Sequence, residues 1–169
     1  MPQAEKFSNV AYIQVEESAA NTLTFKKLET GIAPFEKRAW LISRIEYFFA
    51  SSSTNFAADN DRLQIGISAS NSFTAVDLGE NAILDLYDYK RIDLGAAASG
   101  MFQTWPAVKD LSTIPGGGLL APPNPLYLFA KGSSLPNAMT VDCRFYYTSF
   151  DLKADEFWEL VEMRRMVGT

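Results

Sequence analysis

The chain has 169 residues, enough for one domain with its own core, and its 47% apolar and 21% charged residues predict a folded, soluble protein. Histidine is absent, which excludes Ser-His and Cys-His nucleophilic sites, histidine-ligated metals and histidine acid–base chemistry. Fifteen basic and twenty acidic residues give a net charge of −5, whereas a domain that grips nucleic acid through its phosphates is expected to be basic.

The first half of the chain has the pattern of short strands. The clearest is residues 63–68, where apolar and small polar residues alternate as in a strand with one buried face. Turn-forming residues stand on both sides of it, at 59–61 and 71–72. Weaker strand candidates are residues 10–15, 22–28 and 73–78.

The spacing of apolar residues in 37–49 fits both a helix and a strand. Leu41, Ile45 and Phe48 share a helical face, so a period of 3.6 fits nearly as well as the strand period of two. We predict a strand, because aromatic and β-branched residues crowd the run and Ser51-Ser52-Ser53 offers no glycine C-cap. Apolar residues on both faces predict a central strand, covered on one side by the opposing sheet and on the other by a neighbour.

The second half continues the strand pattern. Candidates are residues 83–94 in one or two pieces, 101–105, 125–130 and 139–148, and the Pro/Gly-rich stretch 114–125 is predicted to be a loop. Cys143, the single cysteine, lies in the apolar set of the last strand and is expected to be a buried, inert thiol. About nine short runs separated by turns are typical of an antiparallel sandwich or barrel.

The last element is predicted to be a helix. Asp151 or Asp155 can cap it, and acidic residues come early and basic residues late, the order that the helix dipole favours. Phe157 and Leu160 share an apolar stripe, while Trp158 lies off that stripe. A helix of this length is marginal alone, so we expect it to dock on the sandwich or on a neighbouring subunit.

Two acidic pairs and one glycine run have both a chemical and a structural interpretation. Asp59 and Asp61 could supply oxygen ligands to calcium, but the EF-hand pattern is absent and a simple turn is favoured. Asp85 and Asp88 could form the carboxylate pair of a glycosidase, but their spacing places them on opposite faces of a strand. Residues 116–118 are three glycines without the Lys and Ser of a phosphate-binding loop.

Three features together resemble a known family: a long aromatic strand at residues 39–47, a late strand at 144–148 and a terminal helix at 155–160. In order and kind of element, the chain from about Thr22 onward resembles the small single-jelly-roll capsid proteins of non-tailed icosahedral viruses of microbes. The resemblance implies an all-β, single jelly-roll sandwich of about eight or nine antiparallel strands with a short C-terminal helix. Residues 1–20 would be an N-terminal arm or edge strand, 21–150 the sandwich and 151–169 the helix.

The resemblance also implies a function and a location. Copies of the subunit would tile an icosahedral shell in the virion, assembled in the host cytoplasm, with no catalysis, cofactor or small-molecule substrate. The candidates for subunit contacts are large aromatic residues, namely Trp40, Trp105, Tyr127, Phe157 and Trp158. Because no basic N-terminal arm is present, we hypothesise that the inner surface faces a lipid layer or another protein and that direct nucleic-acid binding is weak.

Two other functions remain open at this point. A jelly-roll carbohydrate- or receptor-binding module, such as a phage spike domain, would use Trp105, Tyr127 and nearby loops. A carboxylate enzyme would depend on Asp85 or Asp88.

Overall fold

A computed structural model describes residues 8–32, 36–49, 55–77, 79–91, 107–121 and 125–167. These residues form nine strands and one helix. The strands are β1 (Asn9–Glu16), β2 (Thr24–Leu28), β3 (Arg38–Phe49), β4 (Arg62–Ser68), β5 (Ile83–Lys90), β6 (Ala107–Asp110), β7 (Leu119–Ala121), β8 (Leu126–Ser133) and β9 (Thr140–Asp151), and the helix is α1 (Ala154–Val167).

The strands form two antiparallel sheets. The first sheet has the order β1-β9-β3-β6, with β7 also pairing with β3, and the second has the order β2-β8-β4-β5. The pairing within the sheets is nested in the sequence: β1 pairs with β9, β2 with β8, β3 with β6 and β7, and β4 with β5. The structure therefore confirms the predicted all-β sandwich with a short C-terminal helix.

The core lies between the inner faces of the two sheets. Leu63, Ile65 and Ile67 of β4 are fully buried there, and so are Cys143 and Phe145 of β9. Each set is spaced by two residues, because successive side chains of a strand point to opposite faces. The strands predicted at residues 63–68 and 139–148 are confirmed. The single buried face expected for residues 63–68 is wrong, because Gln64 and Ser68 on the other face of β4 are buried as well.

The strand predicted at residues 37–49 is also confirmed, and it contains a bulge. The register of β3 against β9 shifts between Ile42 and Arg44, so Ser43 is an extra residue. Even-numbered residues up to Ile42 face the core before the bulge, and odd-numbered ones such as Ile45 and Tyr47 face it afterwards. Leu41 and Phe48 lie on the outer face of the sheet and Ile45 on the inner one, so the apparent helical stripe combined residues from both faces of the strand.

The strand predicted at residues 73–78 is wrong. Its described part, up to Asp77, is a loop that lies over the outer face of the second sheet. The Phe73 ring meets Phe25 and Phe129 edge-on, with centroid distances of 4.9 and 5.4 Å. Together with Ala82, these rings make a second, smaller apolar cluster. The apolar residues that suggested a strand therefore serve as anchors for a loop.

Other elements differ from the prediction in their limits. Residues 101–105 lie outside the described residues, and β5 ends at Lys90 rather than continuing to residue 94. The short strands β6 and β7 were not predicted, and β7 lies inside the stretch expected to be a loop. It pairs with β3 over only three residues, too few for a recognisable alternation.

The helix begins at Ala154, so the N-cap position is Lys153 and not an aspartate. The Lys153 backbone N–H donates to the Glu156 carboxylate at 3.0 Å, which is half of a capping box. Asp151 instead forms an ion pair with Arg38 at 3.1 Å. Asp155 lies in the first turn, where its charge favours the helix dipole without capping it.

A buried glutamate ties the end of β1 to the loop between β8 and β9. Both oxygens of the Glu17 carboxylate accept backbone hydrogen bonds, from Gly132 N at 2.7 Å and from Met139 N at 2.9 Å. Asn21 adds a second link, accepting from Leu135 N at 2.8 Å and donating to Leu135 O at 2.9 Å. These contacts satisfy backbone groups at the end of β8 and in the connection between β8 and β9.

We expect Glu17→Ala to lower the free energy of unfolding by roughly 2–4 kcal/mol, because two buried N–H groups lose their acceptor. Urea unfolding followed by far-UV circular dichroism measures the change. The matched control is Glu16→Ala, since Glu16 is exposed on β1 and its removal is expected to cost less than about 0.5 kcal/mol. Equal stability of the two variants would contradict the role given to Glu17.

Candidate subunit interface

Two of the five predicted contact residues are occupied by packing within the chain. Trp40 is 5% exposed and stacks on Tyr147 with a centroid distance of 3.7 Å. Phe157 is 2% exposed, so the helix is docked on its own subunit through this ring. Neither residue offers much surface to a neighbour while the chain is folded as a single subunit.

The other three predicted residues differ from one another. Tyr127 is half-buried on the outer face of the second sheet, where it stands between Lys27 of β2 and Ser68 of β4. Trp105 lies outside the described residues. Trp158 is 60% exposed, and its ring touches Phe157 edge-on at a centroid distance of 5.4 Å. Of the predicted set, Trp158 presents the largest apolar surface that the structure describes.

The structure adds exposed apolar residues that sequence reasoning missed. Val10 and Tyr12 of β1 are 57% and 58% exposed, and β1 is an edge strand of the first sheet. Val108 of β6, at the opposite edge of the same sheet, and Ile114 are exposed as well. The exposure of Val10 and Tyr12 could have been predicted from the sequence. They alternate with the inward-facing Ala11 and Ile13, so their side chains must face outward.

The Asp142 carboxylate, on the outer face of the first sheet, is hydrogen-bonded within the chain. The Asp142 carboxylate accepts hydrogen bonds from the Tyr12 hydroxyl and, at 2.7 Å, from the Gln14 amide. The hydrogen bond to Asp142 raises the pKa of Tyr12, so its hydroxyl stays protonated as a donor. A partner docking here would meet the Tyr12 ring and a carboxylate that is already hydrogen-bonded.

A second group on the same face joins β3 to β9. Glu46 is buried and pairs with Arg44 at 2.5 Å, and it also accepts from the Tyr146 hydroxyl at 3.2 Å. The Arg144 guanidinium lies over the Phe48 ring, 5.1 Å from its centroid. The outer side of β3 is thus partly covered by charged side chains of its own sheet, and additional cover by a neighbour stays a prediction.

The two candidate catalytic carboxylates lie on opposite faces of β5, as predicted. Asp85 faces the interior, where it accepts a hydrogen bond from the Tyr47 hydroxyl at 2.7 Å and pairs with Lys109 at 3.6 Å. Asp88 faces outward and forms a two-point ion pair with Arg62. Asp85 bridges the two sheets at the open side between β5 and β6, and the pair does not share one cleft.

The acidic turn before β4 forms hydrogen bonds typical of a turn. Asp61 is buried, and its Oδ2 accepts from Ala58 N at 2.7 Å, while Asp59 accepts from the Asn60 amide at 2.8 Å. The Asp61 Oδ1 atom is buried without a hydrogen-bond partner. Across the described ranges, no group of three or more Cys, Asp or Glu side chains could hold a metal ion.

No protein-family model matches the chain, and no curated protein matches it significantly. In the part of the chain that the structure describes, no helix is long and apolar enough to cross a bilayer.

The Cys143 thiol is buried in the core, and burial, followed by the charges of Asp85 and Glu46, raises its pKa well above the ordinary range. Because the thiolate is the reactive form, we expect native protein to react with a disulfide reagent such as Ellman's reagent at least about 100-fold more slowly than urea-unfolded protein. Ser72→Cys, at an exposed loop position, is the positive control. Equal labelling of Cys143 in native and unfolded protein would contradict its burial.

Proposed function

We propose that the sandwich is a single jelly roll and that the protein is a structural subunit of a viral capsid. The observation that carries the proposal is the nested pairing of β1 with β9, β2 with β8, β3 with β6 and β7, and β4 with β5. One long antiparallel hairpin, rolled so that alternate pairs fall in alternate sheets, produces this order. Jelly rolls of this kind build viral capsids and lectins.

Apolar surface that the subunit leaves exposed supports the assembly part of the proposal. Trp158 on the helix, Val10 and Tyr12 on one edge strand and Val108 on the other edge present separate apolar groups on the described surface. Stable protein contacts bury roughly 1,200–2,000 Å² and are enriched in Trp, Tyr and Arg. A subunit that tiles a closed shell needs several such contacts, because each copy has neighbours on more than one side.

Trp158→Ser is expected to leave the subunit folded and to weaken association by about 2 kcal/mol, or about 30-fold, because a largely exposed ring is lost from the contact. Analytical ultracentrifugation and electron microscopy measure the oligomers that form across a concentration series. Glu159→Ser is the matched control, since Glu159 is the exposed neighbour on the same helix. Phe157 is not substituted in this test, because its burial would confound assembly with loss of helix docking.

Two results would overturn this proposal. The first is a wild-type chain that stays monomeric at high concentration without forming any particle. The second is a Trp158→Ser variant that assembles as completely, and at the same concentration, as the wild type.

The charge of the subunit supports an inner surface that faces lipid or another protein. With a net charge of −5, we expect only weak binding of a fluorescent single-stranded oligonucleotide at low salt, because few phosphates can be neutralised. Fluorescence anisotropy measures the affinity over a series of salt concentrations. Tight binding with a steep fall as salt rises would contradict this part of the proposal.

A further inference from the structure

One edge of the first sheet lacks the features that normally keep strand edges apart. β1 is the end strand of that sheet, and none of the described strands pairs with its other side. It is eight residues long and pairs with β9 from Asn9 to Glu16 without a shift of register. It contains no proline, glycine or lysine, and Glu16 is its one carboxylate. An edge of this kind is a template for another strand.

The other three sheet edges differ from β1 in ways that discourage such pairing. β6 has only four residues. β2 has five and carries the exposed Lys26 and Lys27. β5 is as long as β1, but its register with β4 is irregular and it ends in the exposed Lys90. Short length, edge lysines and bulges are the usual protection of a sheet edge, so β1 is the exception among the described edge strands.

The backbone groups that face the open edge of β1 belong to its even-numbered residues. Directly after the strand, the Glu17 N–H donates to Met139 O at 2.9 Å, which continues the register of β1 with β9. Hydrogen-bonded and non-hydrogen-bonded pairs alternate along an antiparallel ladder, so the bonds to β9 fall on odd-numbered residues. The outward N–H and C=O groups are therefore those of Val10, Tyr12, Gln14 and Glu16.

We propose that β1 pairs antiparallel with β1 of a second copy, about a two-fold axis at Ile13, so that the two first sheets become one continuous sheet. In this register Val10 stands opposite the partner's Glu16, and Tyr12 stands opposite the partner's Gln14. All these residues are even-numbered, so their outward backbone groups meet and exchange up to about eight hydrogen bonds. A two-fold contact uses the same surface on both copies, and β1 is available on every copy.

This register also fits the charge of the chain. Each copy has a net charge of −5, but its contact strand carries a single carboxylate, which stands opposite an apolar residue of the partner. The two Glu16 side chains lie at opposite ends of the paired strands, about 20 Å apart at roughly 3.4 Å per residue. That separation exceeds the Debye length of about 8 Å at physiological salt, so their repulsion is largely screened.

The inference rests on the self-association part of the proposed function and names one contact within it. A free dimer satisfies it whether or not a closed shell follows.

Disulfide formation between two single-cysteine variants tests the register. Val10→Cys and Glu16→Cys change exposed side chains, and the native Cys143 is buried. Opposed residues of a hydrogen-bonded pair have Cα atoms about 5.5 Å apart, which suits a disulfide. One variant carries a size tag, so that non-reducing gels separate mixed dimers from like dimers after mild oxidation. We expect the mixture to form at least about tenfold more disulfide dimer than either variant alone, because identical positions lie about 20 Å apart.

The control for random collision is Val10→Cys mixed with Ser72→Cys, since Ser72 is exposed on a loop. This mixture is expected to form no more disulfide dimer than either variant alone.

A proline tests the backbone pairing itself. The Val10 N–H faces the open edge, so Val10→Pro removes no hydrogen bond to β9 and is tolerated in an edge strand. It is expected to weaken dimerisation by at least about tenfold, because each copy loses one donor of the contact. Val10→Thr is the matched control, since it keeps the N–H and a β-branched side chain, and its affinity is expected to stay within about threefold of the wild type. Analytical ultracentrifugation measures association, and far-UV circular dichroism verifies the fold.

The outcomes separate this contact from the proposed function. Dimers or particles without the mixture-specific disulfide would overturn the β1 contact and leave the capsid proposal intact. Equal association of Val10→Pro and wild type, or equal weakening by Val10→Pro and Val10→Thr, would also overturn it. A specific disulfide in a dimer that never forms a particle would support the contact and count against the shell, and a chain that stays monomeric would overturn both.

Discussion

The pairing of β3 with β9 is the contact on which the rest of the fold depends. Both strands are twelve residues long, and they pair from Arg38 and Asp151 at one end to Phe49 and Val141 at the other. Every other strand of the first sheet is attached to one of these two. Their inner faces supply Ile45, Tyr47 and Phe145 to the core, so the same contact also holds the second sheet.

This contact joins parts of the chain that lie far apart, as in the pairing of Tyr47 with Cys143. Closing such a loop costs conformational entropy before any burial repays it, so the pair cannot be stable until both inner faces are covered. The buried contacts of Glu17 and the bridge from Tyr47 to Asp85 reinforce the closed sandwich at two places, the β8–β9 connection and the open side between β5 and β6.

Much of the fold could be predicted because strands alternate. Residues 63–68 and 139–148 were recognisable since one face of each is apolar, and the fold class followed from the number and spacing of such runs. The loop at Phe73 was mistaken for a strand because anchors against a sheet face and core residues have the same chemistry. The bulge at Ser43 blurred the period of β3, and no local pattern distinguishes one extra residue from a helical turn.

The candidate sites were less predictable than the fold. Trp158 was identified because it lies off the apolar stripe of its helix, whereas Trp40 was singled out for its size although the core occupies it. The contact of the Tyr47 hydroxyl with Asp85 could not be inferred from sequence, since the two residues lie on β3 and β5, in different sheets. Side chains that act together across strands become visible only when the register is known.

The position of β9 has a consequence for synthesis on the ribosome. It follows all the other described strands in sequence, yet it lies between β1 and β3 in the first sheet. Until β9 has emerged from the exit tunnel, β1 has no strand to pair with and β3 lacks its longest partner. The nascent chain therefore carries unpaired strand edges for most of translation, a state in which chaperones or neighbouring nascent chains have their best opportunity to bind.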